Sequence, residues 1–151
     1  MKRVRKHDVW LALLLAGYTV VLGFTSCETA GNLLSTTQFS QTAYDTDKEL
    51  RDESLALIDK ARHRTRYSKV ASKVKALMQK IDSAIGNEKA RTKNAPTVAQ
   101  WETVQSQLNH FFDLWKTKGT LSPAFVDEGK KQVSALFDTL IRTEEDKRGR
   151  S

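Results

Sequence analysis

Apolar residues recur at helical spacing through most of the chain after position 43, and they predict amphipathic helices. An α-helix brings residues three and four apart onto one face, so such a stripe marks the side that packs against a core. The most regular stripe alternates steps of three and four residues, and its members are Trp101, Val104, Leu108, Phe111 and Trp115. That alternation is typical of a helix packed against other helices.

Capping residues set the expected limits of the first two helices. The first helix is expected to begin near Ala43 or Thr46, because Thr46 and Glu49 have the spacing of a capping box. The second is expected over residues 68–85, and Gly86 is expected to end it.

The segment between these two helices predicts a break. Ala61 and Val70 belong to successive apolar stripes and lie nine residues apart, which is a rotation of about 180° at 100° per residue. The apolar face therefore changes side, and we expect the break within residues 62–67. The alternative is one helix of roughly 65 Å, because this segment contains neither Gly nor Pro.

The last two helices have clearer limits. The third is expected over residues 97–118, with Gly119 as its stop. Ser122 and Pro123 suit the N-cap and the first position of the fourth helix. The charged residues 142–151 are expected to fray, because they add little apolar surface.

These patterns predict an all-α fold, namely an antiparallel bundle of three or four amphipathic helices over residues 43–147, followed by a disordered tail at 148–151. No alternating run of apolar and polar residues predicts a strand. The chain has only two prolines and seven glycines, which agrees with a largely helical protein.

The first 27 residues have the pattern of an export signal. Four cations within positions 2–6 precede an uncharged run from Val9 to Ser26, and the run ends at the only cysteine, Cys27. The run is short for a membrane span, which takes about 20 apolar residues. A basic start, a short apolar core and small residues before a cut site are features of a cleaved signal.

This segment resembles a bacterial lipoprotein signal peptide, and the resemblance is carried by the lipobox-like residues Phe24-Thr25-Ser26-Cys27. Phe24 stands where the motif usually has Leu. The resemblance implies that residues 1–26 are removed, that the Cys27 thiol carries a diacylglycerol, and that the freed amine is acylated. Several chains anchor a protein firmly, since each buried CH₂ contributes about 0.8 kcal/mol. The alternative is an uncleaved signal anchor with an unmodified thiol.

Residues 27–42 are expected to comprise the lipidated cysteine and a flexible tether, because the segment is rich in Ser and Thr. Its apolar members Leu33, Leu34 and Phe39 are expected either to pack on the domain or to lie in the lipid interface. The resemblance places the domain on a membrane, outside the cytoplasm. Glu28 is not the Asp that resembles an inner-membrane retention signal in enteric bacteria, which favours the periplasmic face of the outer membrane.

The formal net charge is +7, and residues 60–80 contain eight Lys or Arg and no acid. The functional interpretation is contact with an anionic surface, such as anionic phospholipid, lipopolysaccharide or an acidic envelope protein. The contact residues would be Arg62, Arg64, Arg66, Lys69 and Lys73. The alternative is a solvated helix face balanced by the acids of residues 45–59. No nucleic acid is expected as a partner, because an exported domain meets little of it.

No motif indicates catalysis, a cofactor or a metal. The chain after Cys27 has two histidines, no Gly-rich phosphate loop and no serine in a nucleophile elbow. His110 and Asp113 could meet on one helix turn, and His63 could join them, but metal sites take three or four ligands. A surface polar pair is the simpler interpretation. We therefore expect neither enzyme activity nor a cofactor.

The sequence thus favours a membrane-anchored, non-enzymatic component of the cell envelope that acts by binding a partner. The alternative is a carrier of a small apolar ligand or lipid, with Trp101, Phe111, Trp115 and Phe137 lining a cavity between helices. The seam spacing favours core packing for these side chains. An enzyme acting on envelope polymers would need catalytic groups that no motif supplies.

Overall fold

The computed structural model describes residues 37–149, which form four α-helices and one short 3₁₀ turn. The helices are α1 (Gln41–Arg62), α2 (Ala71–Ala90), α3 (Ala95–Lys118) and α4 (Pro123–Arg148), and the 3₁₀ turn covers Tyr67–Lys69. No strand occurs within residues 37–149. The predicted all-α bundle is confirmed, and it has four helices. The predicted signal peptide, Cys27 and residues 28–36 of the predicted tether lie outside the described residues.

The four helices are antiparallel in chain order and close into a ring, because each packs against the next and α4 packs against α1. Arg62 at the end of α1 pairs with Asp127 near the start of α4. The backbone N–H of Ser40, just before α1, donates to Glu144 near the end of α4. The Thr37 end of the bundle therefore holds the start of α1, residues 91–94 and the end of α4.

Aromatic and aliphatic side chains from all four helices fill the core. Trp101 and Trp115 are fully buried, and Phe111 is 2% exposed. The rings of Trp101 and Phe137 meet edge to face at 5.6 Å, and those of Phe111 and Trp115 at 6.4 Å. Such pairs add about 0.5–1.5 kcal/mol beyond the area they bury. The predicted seam of α3 is confirmed as bundle core.

The predicted break between the first two helices is also confirmed. The backbone of Arg64 takes a φ of 55°, in the left-handed region that non-glycine residues seldom adopt. The indole N–H of Trp115 donates to the Thr65 carbonyl at 3.0 Å, which ties this turn to α3. The rotation of the apolar face was therefore a sufficient signal, although the segment has no helix-breaking residue.

The start of α1 differs from the prediction. The helix begins at Gln41, and its cap is Ser40, whose hydroxyl accepts the Ala43 N–H at 3.3 Å. Thr46 lies inside the helix, so the capping-box interpretation was wrong. The predicted boundary between tether and domain, at residues 42–43, falls within α1.

The residues just before α1 are bonded to the domain. Thr37 donates to the Thr92 carbonyl. The guanidinium of Arg148 lies 4.2 Å from the centre of the Phe39 ring, a cation–π contact. Of the two alternatives for Phe39, packing on the domain is the one observed. Leu33 and Leu34 lie outside the described residues.

Both predicted limits of the second helix were wrong: α2 begins at Ala71, three residues after the predicted start, and it continues through Gly86 to Ala90. Glu88 in its last turn is 5% exposed and pairs with Arg91 at 2.9 Å. This ion pair lies beyond Gly86, the residue that was expected to end the helix. The third helix begins at Ala95, two residues before the predicted start.

The predicted end of the third helix at Gly119 and the predicted start of the fourth at Ser122 and Pro123 are confirmed. Gly119 caps α3 with a φ of 74°, and the Ser122 hydroxyl accepts the N–H of Phe125 at 3.3 Å. The predicted fraying of residues 142–151 was wrong for its helical part, because α4 continues to Arg148. Two charged side chains in its last turns, Glu144 and Lys147, are buried rather than solvated, as described below.

No helix within residues 37–149 combines the length and the apolar character needed to cross a membrane.

A pair of glycine substitutions tests the packing of α3 against α4. A Cβ added at Gly129 would lie 2.8 Å from the Phe111 ring, whereas one at Gly86 meets no atom within 4 Å. Alanine is favoured over glycine in a helix interior by roughly 0.8–1 kcal/mol. We expect Gly86→Ala to stabilise the domain by about that amount and Gly129→Ala to destabilise it by about 1–3 kcal/mol. Urea unfolding measures both, and an equal gain in the two variants would contradict the close contact.

Candidate functional site

The Thr37 end of the bundle contains five charged side chains that are largely withdrawn from solvent, which we call the ionic cluster. They come from α1, α2, the α2–α3 connection and α4, and they are Asp47, Glu88, Arg91, Glu144 and Lys147. The four on helices are 1–6% exposed, and the side chain of Arg91 is 18% exposed. Charged residues are almost never this buried unless they are paired, so the arrangement of partners decides what the cluster can do.

Glu144 is the centre of the cluster. Its carboxylate accepts hydrogen bonds from Arg91 at 2.8 and 3.2 Å, from Lys147 at 2.6 Å and from the Ser40 N–H at 2.6 Å. Burial on its own would raise the pKa of this carboxyl. The hydrogen bonds from Arg91, Lys147 and Ser40 outweigh burial and hold the pKa below its ordinary value. Glu144 is therefore ionised at neutral pH and joins α4 to two other segments.

Glu88 and two polar residues complete the hydrogen bonding around the cations. Arg91 donates to both carboxylate oxygens of Glu88 at 2.9 Å. Asn94 donates to Glu88 and accepts from Lys147 at 3.1 Å, and Thr97 also accepts from Lys147 at 3.1 Å. Buried polar networks of this kind stabilise a fold when each member has its partners.

Asp47 differs from the rest of the cluster. Its side chain is 3% exposed yet makes no hydrogen bond with the described residues. Burial raises its pKa most, and the negative charges of Glu88 and Glu144 raise it further. Lys147 and Arg91 oppose this only in part, so the pKa of Asp47 rises from 3.8 to about 8. The cluster thus has three acids and two cations, and a proton on Asp47 relieves the imbalance.

A cavity of about 220 Å³ lies beside Asp47. Its wall includes Asp47, Thr46, Asn87, Glu88, Arg91 and Trp101. The indole N–H of Trp101 is buried and has no hydrogen-bond partner. An engineered protein cavity of about 150 Å³ holds a benzene molecule, so this space is large enough for a small organic ligand.

The predicted contact residues for an anionic surface all lie at the opposite end of the bundle, and all are exposed. Arg62 pairs with Asp127 at 3.4 Å. The other four form no ion pair with a described acidic residue, and two lysines from the end of α3 border the same surface. We call those four predicted residues and these two lysines together the basic end. Its members are Arg64, Arg66, Lys69, Lys73, Lys116 and Lys118.

A groove of about 680 Å³ runs across the basic end, and Arg66, Lys116 and Lys118 are among the residues that line it. The alternative interpretation assigned the acids of residues 45–59 to balance the cations of this region. That balance holds at one position of the segment, because Glu53 pairs with Lys80 at 2.6 Å. Asp59 pairs instead with Lys130 of α4 at 2.6 Å, and no described acid of residues 45–59 forms an ion pair with a cation of the basic end. The basic end therefore keeps its positive charge exposed.

The three residues considered for a metal site do not come together as a ligand set. His63, His110 and Asp113 are exposed. Over residues 37–149, no three or more His, Cys, Asp or Glu side chains are placed to hold a metal ion.

Sequence reasoning missed the ionic cluster, although a signal for it exists. Asp47 lies three residues before Leu50, and Glu144 lies four after Leu140, so each extends an apolar stripe by one turn. A charged residue at a core position of a helix is the pattern that could have found it.

No protein-family model, curated protein or solved structure matches this chain. The support for a function therefore comes from the pattern of the first 27 residues and from the two ends of the bundle.

Proposed function

We propose that this chain is a bacterial lipoprotein whose helical domain is a non-enzymatic binding component of the cell envelope. Residues 1–26 are removed, Cys27 is acylated, and the domain lies on the periplasmic face of the outer membrane. The support for the anchor is the basic, apolar and lipobox-like pattern that ends at the single cysteine. The observation that carries the binding role is the exposed and uncompensated charge of the basic end.

The geometry of the domain separates its attachment from its binding surface. The described chain begins at the Thr37 end, and α1 leads from there to the basic end over 22 residues, or about 33 Å. Ten residues lead from Cys27 to Thr37, and an extended chain of that length spans at most about 35 Å. An anchored domain is thus free to present its basic end to a surface at some distance from the anchor.

The partner we propose for the basic end is the phosphate of anionic lipids, either phospholipid headgroups or lipopolysaccharide. Each Lys or Arg near an anionic membrane contributes about 1 kcal/mol. Arg66 also offers the planar guanidinium that binds phosphate oxygens in pairs. Four of the six cations lie in or next to the connection between α1 and α2, and the other two lie at the end of α3. They therefore form a surface rather than one face of a single helix.

Core packing supports surface binding over carriage of an apolar ligand. Trp101, Phe111, Trp115 and Phe137 were the residues expected to line a carrier cavity. All four are at most 2% exposed, and their rings contact one another.

Reversing two charges tests the basic end. In a soluble fragment that begins at Ser35, where the compact unit starts, Arg66→Glu combined with Lys69→Glu removes two cations from this surface. At about 1 kcal/mol for each cation, affinity for phosphatidylglycerol vesicles is expected to fall at least about 30-fold in a cosedimentation assay.

The matched control is Lys131→Glu combined with Arg142→Glu, which changes net charge equally at exposed positions on α4. This control is expected to weaken vesicle binding less than about threefold. Equal losses in both variants would show that only net charge matters. Unchanged binding in the first variant would mean that the basic end is solvated surface or serves an acidic protein instead.

A further inference from the structure

The cavity at the Thr37 end has a largely buried carboxylate in its wall, that of Asp47. Asp47 lines the cavity, is 3% exposed and makes no hydrogen bond with the described residues. Leaving a buried charged group without a partner costs more free energy than leaving a neutral one unpaired. An apolar residue at position 47 would extend the buried stripe of α1 and avoid that cost. Asp47 thus has no structural role that its contacts explain.

The rest of the ionic cluster is complete without Asp47. Glu144 accepts from Arg91, Lys147 and the Ser40 N–H, and Glu88 accepts from Arg91 and Asn94. The described cations that face Asp47 are thus already committed to other carboxylates. When Asp47 is ionised, above about pH 8, the cluster has three acids and two cations, so the excess charge next to the cavity is negative and favours a cation as its occupant.

Two other residues in the wall, Thr46 and Asn87, suit an ammonium group. The side-chain oxygens of Thr46 and Asn87 can accept hydrogen bonds, and the Asp47 carboxylate can accept a shorter, charge-assisted one. An ammonium nitrogen has several N–H groups to donate and can therefore use more than one of these acceptors.

We propose that this cavity binds a small primary amine in its ammonium form, with the positive nitrogen paired to Asp47. The proposal assigns a ligand site to the domain that is separate from the basic end. It requires neither acylation of Cys27 nor binding of anionic lipid.

Titration of butylammonium chloride into the full-length protein in neutral detergent tests the site, with sodium chloride holding ionic strength constant. At pH 9 Asp47, with a pKa of about 8, is mostly ionised, and an alkylammonium resembling the lysine side chain stays protonated. The readout is the NMR signal of the Trp101 indole N–H, identified by its absence in Trp101→Phe. We expect a saturable shift in the wild-type protein and at least tenfold weaker binding in Asp47→Asn.

The control is Asp45→Asn, which removes an exposed carboxylate from the same helix and is expected to leave the affinity unchanged. A second readout uses the wild-type protein alone. Affinity should fall at least tenfold from pH 9 to pH 6, because the cation must then displace the Asp47 proton. This comparison remains informative if Asp47→Asn alters the fold. Absence of a saturable shift at pH 9, equal affinity in Asp47→Asn, or affinity independent of pH would each overturn the proposal.

Discussion

Replacing Glu144 by alanine is expected to destabilise the domain by about 3–5 kcal/mol, because it removes one partner from a buried ionic network. The carboxylate accepts from Arg91, Lys147 and the Ser40 N–H, so its loss withdraws the negative charge that both cations share. It also removes the contact that joins the start of α1 to the end of α4. Urea unfolding of the fragment that begins at Ser35, followed by circular dichroism at pH 7, measures the change.

Asp146→Ala is the matched control for this substitution. Asp146 lies in the same turn of α4 and is exposed, so its replacement is expected to change stability by less than about 0.5 kcal/mol. If Glu144→Ala is no more costly than the control, the ionic cluster does not stabilise the Thr37 end in the way these contacts indicate.

Asp47→Asn is expected to do the opposite and stabilise the domain at alkaline pH. Between about pH 4 and pH 8 the folded protein retains a proton on Asp47 that the unfolded chain releases. Stability therefore falls as pH rises through this window and levels off above pH 8, and the total loss is on the order of several kcal/mol. Asparagine does not titrate, so its advantage is near zero at pH 4 and largest at pH 9.

Unfolding free energies of the wild-type protein and Asp47→Asn at pH 5, 7 and 9 test this prediction. Four charged groups face Asp47: Glu88 and Glu144 raise its pKa, whereas Lys147 and Arg91 lower it. Glu144 has the opposite pH dependence, because its pKa is held below the ordinary value of 4.5 and its contribution to stability is lost as pH falls below that value. Maximum stability is thus expected at mildly acidic pH. A stability difference between the two proteins that does not vary with pH would contradict the assignment.

The apolar stripes predicted most of the fold because they are local signals. The 180° rotation between Ala61 and Val70 located the break after α1, and the pair Ser122-Pro123 located the start of α4. The start of α1 was missed because Ser40 and Thr46 are both suitable caps. The choice of Ser40 rests on Glu144, which lies 104 residues away and accepts the Ser40 N–H.

The sequence offers a signal for the individual buried acids, but the pairing within the ionic cluster was not predictable, because its members are brought together by the ring of helices. Arg91 and Glu144 are 53 residues apart in sequence. In the sequence, Asp47 and Glu144 each lie one turn beyond an apolar stripe, where a helix face usually becomes exposed. Only their partners in the folded structure show that these positions are buried. The basic segment at 60–80 was predictable, but the addition of Lys116 and Lys118 from α3 was not, for the same reason.

The proposed function depends on Cys27 being the acylated first residue of the mature protein. The most direct test is the intact mass of the protein extracted from bacterial membranes, compared with that of a Cys27→Ser variant. We expect the mass of residues 27–151 plus a diacylglycerol and an amide-linked acyl chain, and no acylated species from the variant. The mass of all 151 residues without lipid would contradict the proposal.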